Sequence, residues 1–214
     1  MNTLSSRPPL KTIGDLLHRI GDIPPDRVRF VPAPGTATRD DILKPENEGC
    51  ELVEGTLVER PVGQEESFLA MSLGTILNNC VIPQNLGYVT GESCFYELPG
   101  GTVRGPDLSF TSWNRLPGRR RPSEPIPLDA PNLVVEVLSP SNTKREMALK
   151  REEYFHGGVQ LVWEIDPRQR TVRVYTALDQ FRDLTACDTL TGDPVLPGLA
   201  IRLSDLFAEL DRHG

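Results

Sequence analysis

Histidine is scarce in this chain. Three occur, His18, His156 and His213, two near expected helix ends and one beside the C-terminus. None sits in a nucleophile motif and there is no Gly-x-Ser-x-Gly elbow, so serine or cysteine hydrolysis has little support. No glycine-rich loop runs into Lys-Ser or Lys-Thr, and no dinucleotide fingerprint is present. Cysteine is thin as well. Cys50, Cys80, Cys94 and Cys187 lie far apart without a Cys-x-x-Cys pair, which argues against a zinc site or a disulfide framework. Scattered thiols in a reducing compartment is the better reading. No apolar run approaches the roughly 20 residues of a membrane span. The opening Met-Asn-Thr-Leu-Ser-Ser-Arg-Pro lacks the apolar core of a secretory signal, so a cytoplasmic location with no membrane partner is expected. Positive charge is also short: 23 Lys and Arg against 30 Asp and Glu leave a net charge of -7. Nucleic acid would therefore need a local basic patch. Arg115, Arg119, Arg120 and Arg121, in a loop with Pro and Gly, are the candidate; the bland alternative is a solvated loop.

What is present is a globular composition, with 38% hydrophobic residues in 214, enough for one domain with a real core. Residues 1–10 read as disordered and residues 1–45 as a peripheral arm, with a short helix over Thr12–Ile20, an extended Pro-rich connector, and Thr38 as the cap of a second helix. Residues 46–214 form the body. Cys50–Arg60 reads as a hairpin turning at Glu54-Gly55. Gln64–Cys80 has helical periodicity, and Gly74 could permit close packing. Strands follow over Tyr88–Thr90, Cys94–Leu98 and Val103–Thr111. A long loop over Trp113–Pro131 is of a length usually functional or disordered. Then come the strand from Leu133, a helix over Thr143–His156 ended by Gly157-Gly158, and strands at Val159–Ile165, Thr171–Tyr175 and Phe181–Thr185. Ile201–Leu210 is a strand end and short helix capped by Ser204. The order indicates an α/β fold with a mixed sheet flanked by helices.

Carboxylates in strands carry the chemistry. Leu133 to Leu138 is aliphatic except for Glu136, and an ionised carboxylate inside a strand buried on both faces is costly unless it is paired or holds a metal. Asp107 opens an earlier apolar segment, so the two can lie on neighbouring strands. Such an oxygen-rich pair suits a hard divalent cation, which could activate water and stabilise phosphodiester cleavage. Asp107 has a plainer alternative as a turn residue at a strand start. Glu146, Lys150 and Tyr154 share one helix face by their spacing. Lys150 could orient water or neutralise phosphate charge, or could form only a surface pair with Glu146. Thr143 and Glu146 match a capping box, so Glu146 reads as structural.

Together these residues resemble the Uma2 family, a branch of the PD-(D/E)XK restriction-endonuclease-like superfamily. The resemblance rests on Pro106-Asp107-Leu108-Ser109-Phe110, Leu133-Val134-Val135-Glu136-Val137-Leu138-Ser139-Pro140-Ser141, Lys150-x-x-x-Tyr154 and Gly158 to Pro167. The Glu51–Gly55 hairpin, Pro34–Thr38 and Leu196–Leu199 look similar too, so most of the chain from about residue 34 to 207 is covered. The resemblance implies a restriction-endonuclease-like core and a Mg²⁺- or Mn²⁺-dependent endonuclease acting on DNA, as a homodimer. It makes Asp107 and Glu136 metal ligands, Glu51 a further ligand or support residue, and Lys150 a migrated catalytic lysine. The superfamily's usual lysine position, two residues after the glutamate, is Leu138. Many relatives carry histidine at the start of the first long helix; here Gln64-Glu65-Glu66-Ser67 stands there, and no catalytic role is assigned to it. The alternative from the acidic charge and Leu138 is an inactive interaction or regulatory module on the same scaffold.

Overall fold

The computed structural model describes residues 10–61 and 63–212. The disorder expected for the first residues falls outside them except at Leu10, as does His213. Strands β1 (Cys50–Val53) and β2 (Thr56–Glu59) form the expected hairpin. Its turn has both central residues left-handed, Glu54 at φ 52° and Gly55 at φ 68°, the backbone twist that joins two strands tightly. β4 (Tyr96–Leu98) and β5 (Thr102–Arg104) complete a small sheet in the order β2-β1-β5-β4.

A larger sheet carries the body. Its order is β10-β9-β8-β7-β6-β3, built from β3 (Gly87–Gly91), β6 (Leu108–Ser112), β7 (Leu133–Val137), β8 (Leu161–Asp166), β9 (Thr171–Ala177) and β10 (Gln180–Thr185). Among the described residues only β7 and β8 are parallel neighbours, so a crossover must join them, and helix α4 (Lys144–His156) is that crossover. Helix α3 (Gln64–Val81) covers one face. Its Leu69, Leu73 and Leu77 pack with Leu133, Val135, Val137, Leu108 and Trp163. Alternation along β7 sends Val134 to the other face, against Tyr96, Leu98, Tyr154 and Val162. Glu136 shares that parity and so faces α4. Gly74 allows the close approach expected of it: a Cβ there would stand 3.2 Å from Leu108 Cδ2. A two-stranded sheet, β11 (Thr189–Gly192) with β12 (Leu196–Arg202), and helix α5 (Leu203–Ala208) close the α3 side. Among the described residues no helix is long and apolar enough to cross a membrane.

Several expectations need correction. The strand expected over Val103–Thr111 is two strands in different sheets, broken at Gly105-Pro106-Asp107. Pro106 lacks a ladder donor, and the Gly105 amide donates to Glu51 Oε1 instead, at 3.2 Å. The arm is not peripheral over its described part. Leu16, Ile20, Ile23 and Val28 pack on Val53 and Val58, while Ala37 and Ile42 pack on Cys50, Leu52 and Leu57. The arm thus covers both faces of the hairpin, with helices α1 (Ile13–Arg19) and α2 (Arg39–Ile42) capped by Thr12 and Thr38. Ser204 is not a cap; α5 starts after Arg202 without a side-chain cap. Strand β11 was not among the expected strands.

Candidate active site

The break after Arg104 brings the chain from the small sheet into the large one, and Asp107 stands at that corner. Its Oδ2 accepts from the Val137 amide at 2.7 Å, which ties the start of β6 to the end of β7. Glu136 is buried one residue earlier. Its Oε1 accepts from the Tyr154 hydroxyl at 2.5 Å, and Lys150 Nζ lies 3.2 and 3.1 Å from its two oxygens. Lys150 Nζ also lies 3.2 Å from Glu51 Oε1. The spacing of four along α4 sets Lys150 and Tyr154 on the same face, over β7.

Glu51 reaches this cluster through strand alternation. Cys50 and Leu52 face the core under α2, so Glu51 and Val53 face the other way. On β5 the same parity turns Val103 to that core and Arg104 to Glu51. Arg104 Nη1 donates to Glu51 Oε2 at 2.7 Å and its Nε donates to Glu153 Oε2 at 2.7 Å. The result is a chain of alternating charge, Glu153–Arg104–Glu51–Lys150–Glu136, ending at Tyr154 and buried throughout except at the half-buried Glu153. Glu146, one turn before Lys150, is held separately: Arg27 of the arm grips both its oxygens at 3.1 and 2.8 Å, and it closes the capping box with Thr143. The structural role expected for Glu146 is what the bonds show.

The charges respond to these neighbours. Burial pushes Lys150 towards the neutral form, but Glu136 and Glu51 outweigh it and hold the ammonium charged, above its ordinary range. Burial likewise pushes Glu51 up, yet Lys150 and Arg104 prevail and hold it down at about 2. Glu136 goes the other way, raised by burial and by Glu51 despite Lys150. Asp107 is pushed up to about 7, first by burial and then by the negative charge of Glu136.

Asp107, Glu136 and Lys150 line one cavity of about 30 Å³, together with Arg60, Glu66 and Ser139, room on the order of one water. Asp107 and Glu136 are hard oxygen donors, with Glu66 a third lining carboxylate; burial first, and then the negative charge of Glu136, raises the affinity of Asp107 for a proton, and a divalent cation would relieve that charge. The donor set therefore fits Mg²⁺ or Mn²⁺, which accept one or two carboxylates and complete their shell with water or phosphate. Glu51 does not line this cavity, and its oxygens face Arg104, Lys150 and the Gly105 amide. Among the described residues no group of three or more His, Cys, Asp or Glu side chains is arranged to hold a metal.

The family of this fold is decided by comparison. The Uma2 family, described as "Putative restriction endonuclease", matches residues 40–204. The chain belongs to the Uma2 family. A crystal structure described as "a putative nuclease belonging to DUF820", from Anabaena variabilis ATCC 29413, is similar at a TM-score of 0.69 and 26% identity. That match covers 81% of this chain and 98% of the other. No curated protein matches. The Uma2 fold here is restriction-endonuclease-like, a mixed sheet flanked by helices.

Within this Uma2 chain, two groups at the site were not foreseen. Arg104 is one; its signal was a lone arginine in the short strand Thr102-Val103-Arg104, which demands a buried carboxylate. Glu66 is the other; no catalytic role was assigned to its helix start, although it borders the cavity from the first turn of α3. The arginine loop does not reach the site. Arg115 donates to the Gly158 carbonyl at 2.8 Å, at the far end of α4, and Arg119, Arg120 and Arg121 are exposed.

Proposed function

We propose that the chain is a metal-dependent endonuclease hydrolysing DNA phosphodiester bonds at the cavity between Asp107 and Glu136. The observation that carries this reading is the meeting of these two carboxylates and Lys150 around one water-sized space in a Uma2 chain. Asp107 and Glu136 would hold Mg²⁺ or Mn²⁺. The cation supplies Lewis-acid stabilisation of charge on the phosphate and lowers the pKa of water. The Val137 amide keeps Asp107 oriented by fixing one oxygen, and Tyr154 does the same for Glu136.

Glu136 and Glu51 hold the Lys150 ammonium charged. Its role is a fixed positive charge that orients the attacking water through a lone pair and neutralises phosphate charge as it develops. It does from helix α4 what Leu138 cannot do from the strand. Glu51 serves as the lysine's counter-charge, and Arg104 as the counter-charge of Glu51. The test is incubation of supercoiled plasmid with Mg²⁺ or Mn²⁺. Wild type should nick it and Asp107→Asn should not; equal nicking by both would overturn the reading.

A second reading has one observation behind it. The Lys150 ammonium is already satisfied by Glu136 and Glu51, as in a structural ion cluster. An inactive interaction module would show no metal-dependent nicking and no metal-binding heat by calorimetry. Binding heat abolished by Glu136→Gln would exclude it.

A further inference from the structure

Two larger cavities open beside the acidic one, and their charges differ. On the α3 side a cavity of about 440 Å³ shares Asp107, Gly63 and Glu66 with it and is walled by Met71 and Leu108. With Glu92 it carries three acidic side chains and no basic one. On the β8 side a cavity of about 650 Å³ shares Ser139 and Asn142 with the acidic one. It carries Lys144, Arg151, Arg168 and Arg173 against three acids, Glu164, Asp166 and Asp183. Two further surface cavities, beside α5 and β10, each have one arginine against two acids. In a chain of net charge -7, a cavity with more bases than acids runs against the trend, and it adjoins the site.

Its acids are internally engaged. Arg151 holds Glu164 at 2.6 Å and stacks over Tyr175 at 4.4 Å. Arg173 grips Asp183 with two bonds. Asp166 Oδ1 accepts from the Arg168 and Gln169 amides of its own turn, at 3.0 Å each. Two cations remain outward. Lys144 is exposed and makes no ion pair among the described residues. The Arg168 side chain is 45% exposed and comes only within 3.6 Å of Asp166. Cations facing solvent beside a cleavage site meet the requirement of a polyanion, because each phosphate contact releases condensed counterions.

We infer that this groove seats the sugar–phosphate backbone of the DNA strand being cut, with Lys144 and Arg168 as phosphate contacts. The strand then crosses the Asp107–Glu136 cavity and leaves by the apolar Met71–Leu108 wall, where the absence of cations suits a nucleoside rather than a phosphate. The inference rests on the nuclease reading and gives that site its direction.

The test is fluorescence anisotropy with a labelled DNA duplex, its single strand and the matching RNA, in EDTA and again with Ca²⁺. Lys144→Glu combined with Arg168→Glu should weaken DNA binding at least about tenfold at low salt and reduce the salt slope by about two, one per lost phosphate contact. Lys144→Gln with Arg168→Gln should fall between. An unchanged melting temperature confirms that the variants fold. Arg119→Glu with Arg120→Glu should bind like wild type. Equal binding by the groove variant and wild type, or no binding by wild type in either buffer, overturns the inference; tighter binding of RNA overturns its assignment to DNA. Binding that falls as expected in a protein that never nicks plasmid upholds the groove and defeats the nuclease reading alone.

Discussion

At one end of α4, Thr143 caps the helix, Ser139 and Asn142 border the acidic cavity, and Lys150 reaches Glu136. At the other, Gly157 and Gly158 close the helix and Arg115 binds the Gly158 carbonyl, with three exposed arginines beyond it. The arginine cluster is the more conspicuous in the sequence, yet the chemistry is assigned to the opposite end. Connectivity explains this. Asp107 precedes β6 and Glu136 lies near the end of β7, and the two strands are antiparallel. The loop over residues 113–131 leaves the other end of β6, a strand length of about 16 Å away. Clustered charge in a Pro- and Gly-containing stretch signalled solvent. Single charges in apolar strands, Glu136 and Arg104, signalled partners.

That contrast can be broken by experiment. The largest effect should come from Arg104→Leu, which leaves buried Glu51 with Lys150 as its one remaining cation and strips the half-buried Glu153 of its partner, and should cost about 3–5 kcal/mol in urea unfolding. Arg120→Leu at the far end should change stability by less than about 0.5 kcal/mol; comparable losses would erase the distinction. Next, Asp107→Asn or Glu136→Gln should cut single-turnover nicking by about 10²–10³, the scale of losing a transition-state stabiliser, whereas Arg119→Ala should leave it unchanged.

A smaller effect sharpens the difference inside the acidic end itself. Glu51 is held at about 2, below its ordinary 4.5, so its contribution is present above pH 4.5 and lost as pH falls towards 2. Asp107 is raised from 3.8 to about 7. The folded state then binds the extra proton, and stability falls as pH rises from 3.8 to 7. Urea midpoints across pH should show a flattened acid limb in Glu51→Gln and a flattened decline towards neutrality in Asp107→Asn. Curves parallel to wild type would contradict these charges.

Much of the architecture was legible. The hairpin turn, α3, the aliphatic β7 and the capped α4 each had a local signal that agreed with the packing. The expected pairing of Asp107 with Glu136 needed only two neighbouring strands. What stayed hidden depended on which sheet a strand joins. Val103–Thr111 looks continuous because both halves are apolar, and its break is visible only once Gly105 is seen to bond a side chain. The arm's apolar residues were plain, but the surface they cover belongs to a hairpin that sequence spacing does not bring near. Glu51 was suspected from resemblance, and its tie to Lys150 follows from parity across two strands.

The corner at Gly105-Pro106 has a consequence for how this chain tolerates changes of length. Arg104 and Asp107 belong to two sheets whose registers are independently set, and two residues bridge them. One residue inserted in the 113–131 loop would cost little, since closure entropy grows slowly with length. The same insertion between Arg104 and Asp107 would leave one of them out of register, separating the ion cluster from the cavity it borders. This short connection between two sheets is thus where spacing, rather than residue type, governs the site.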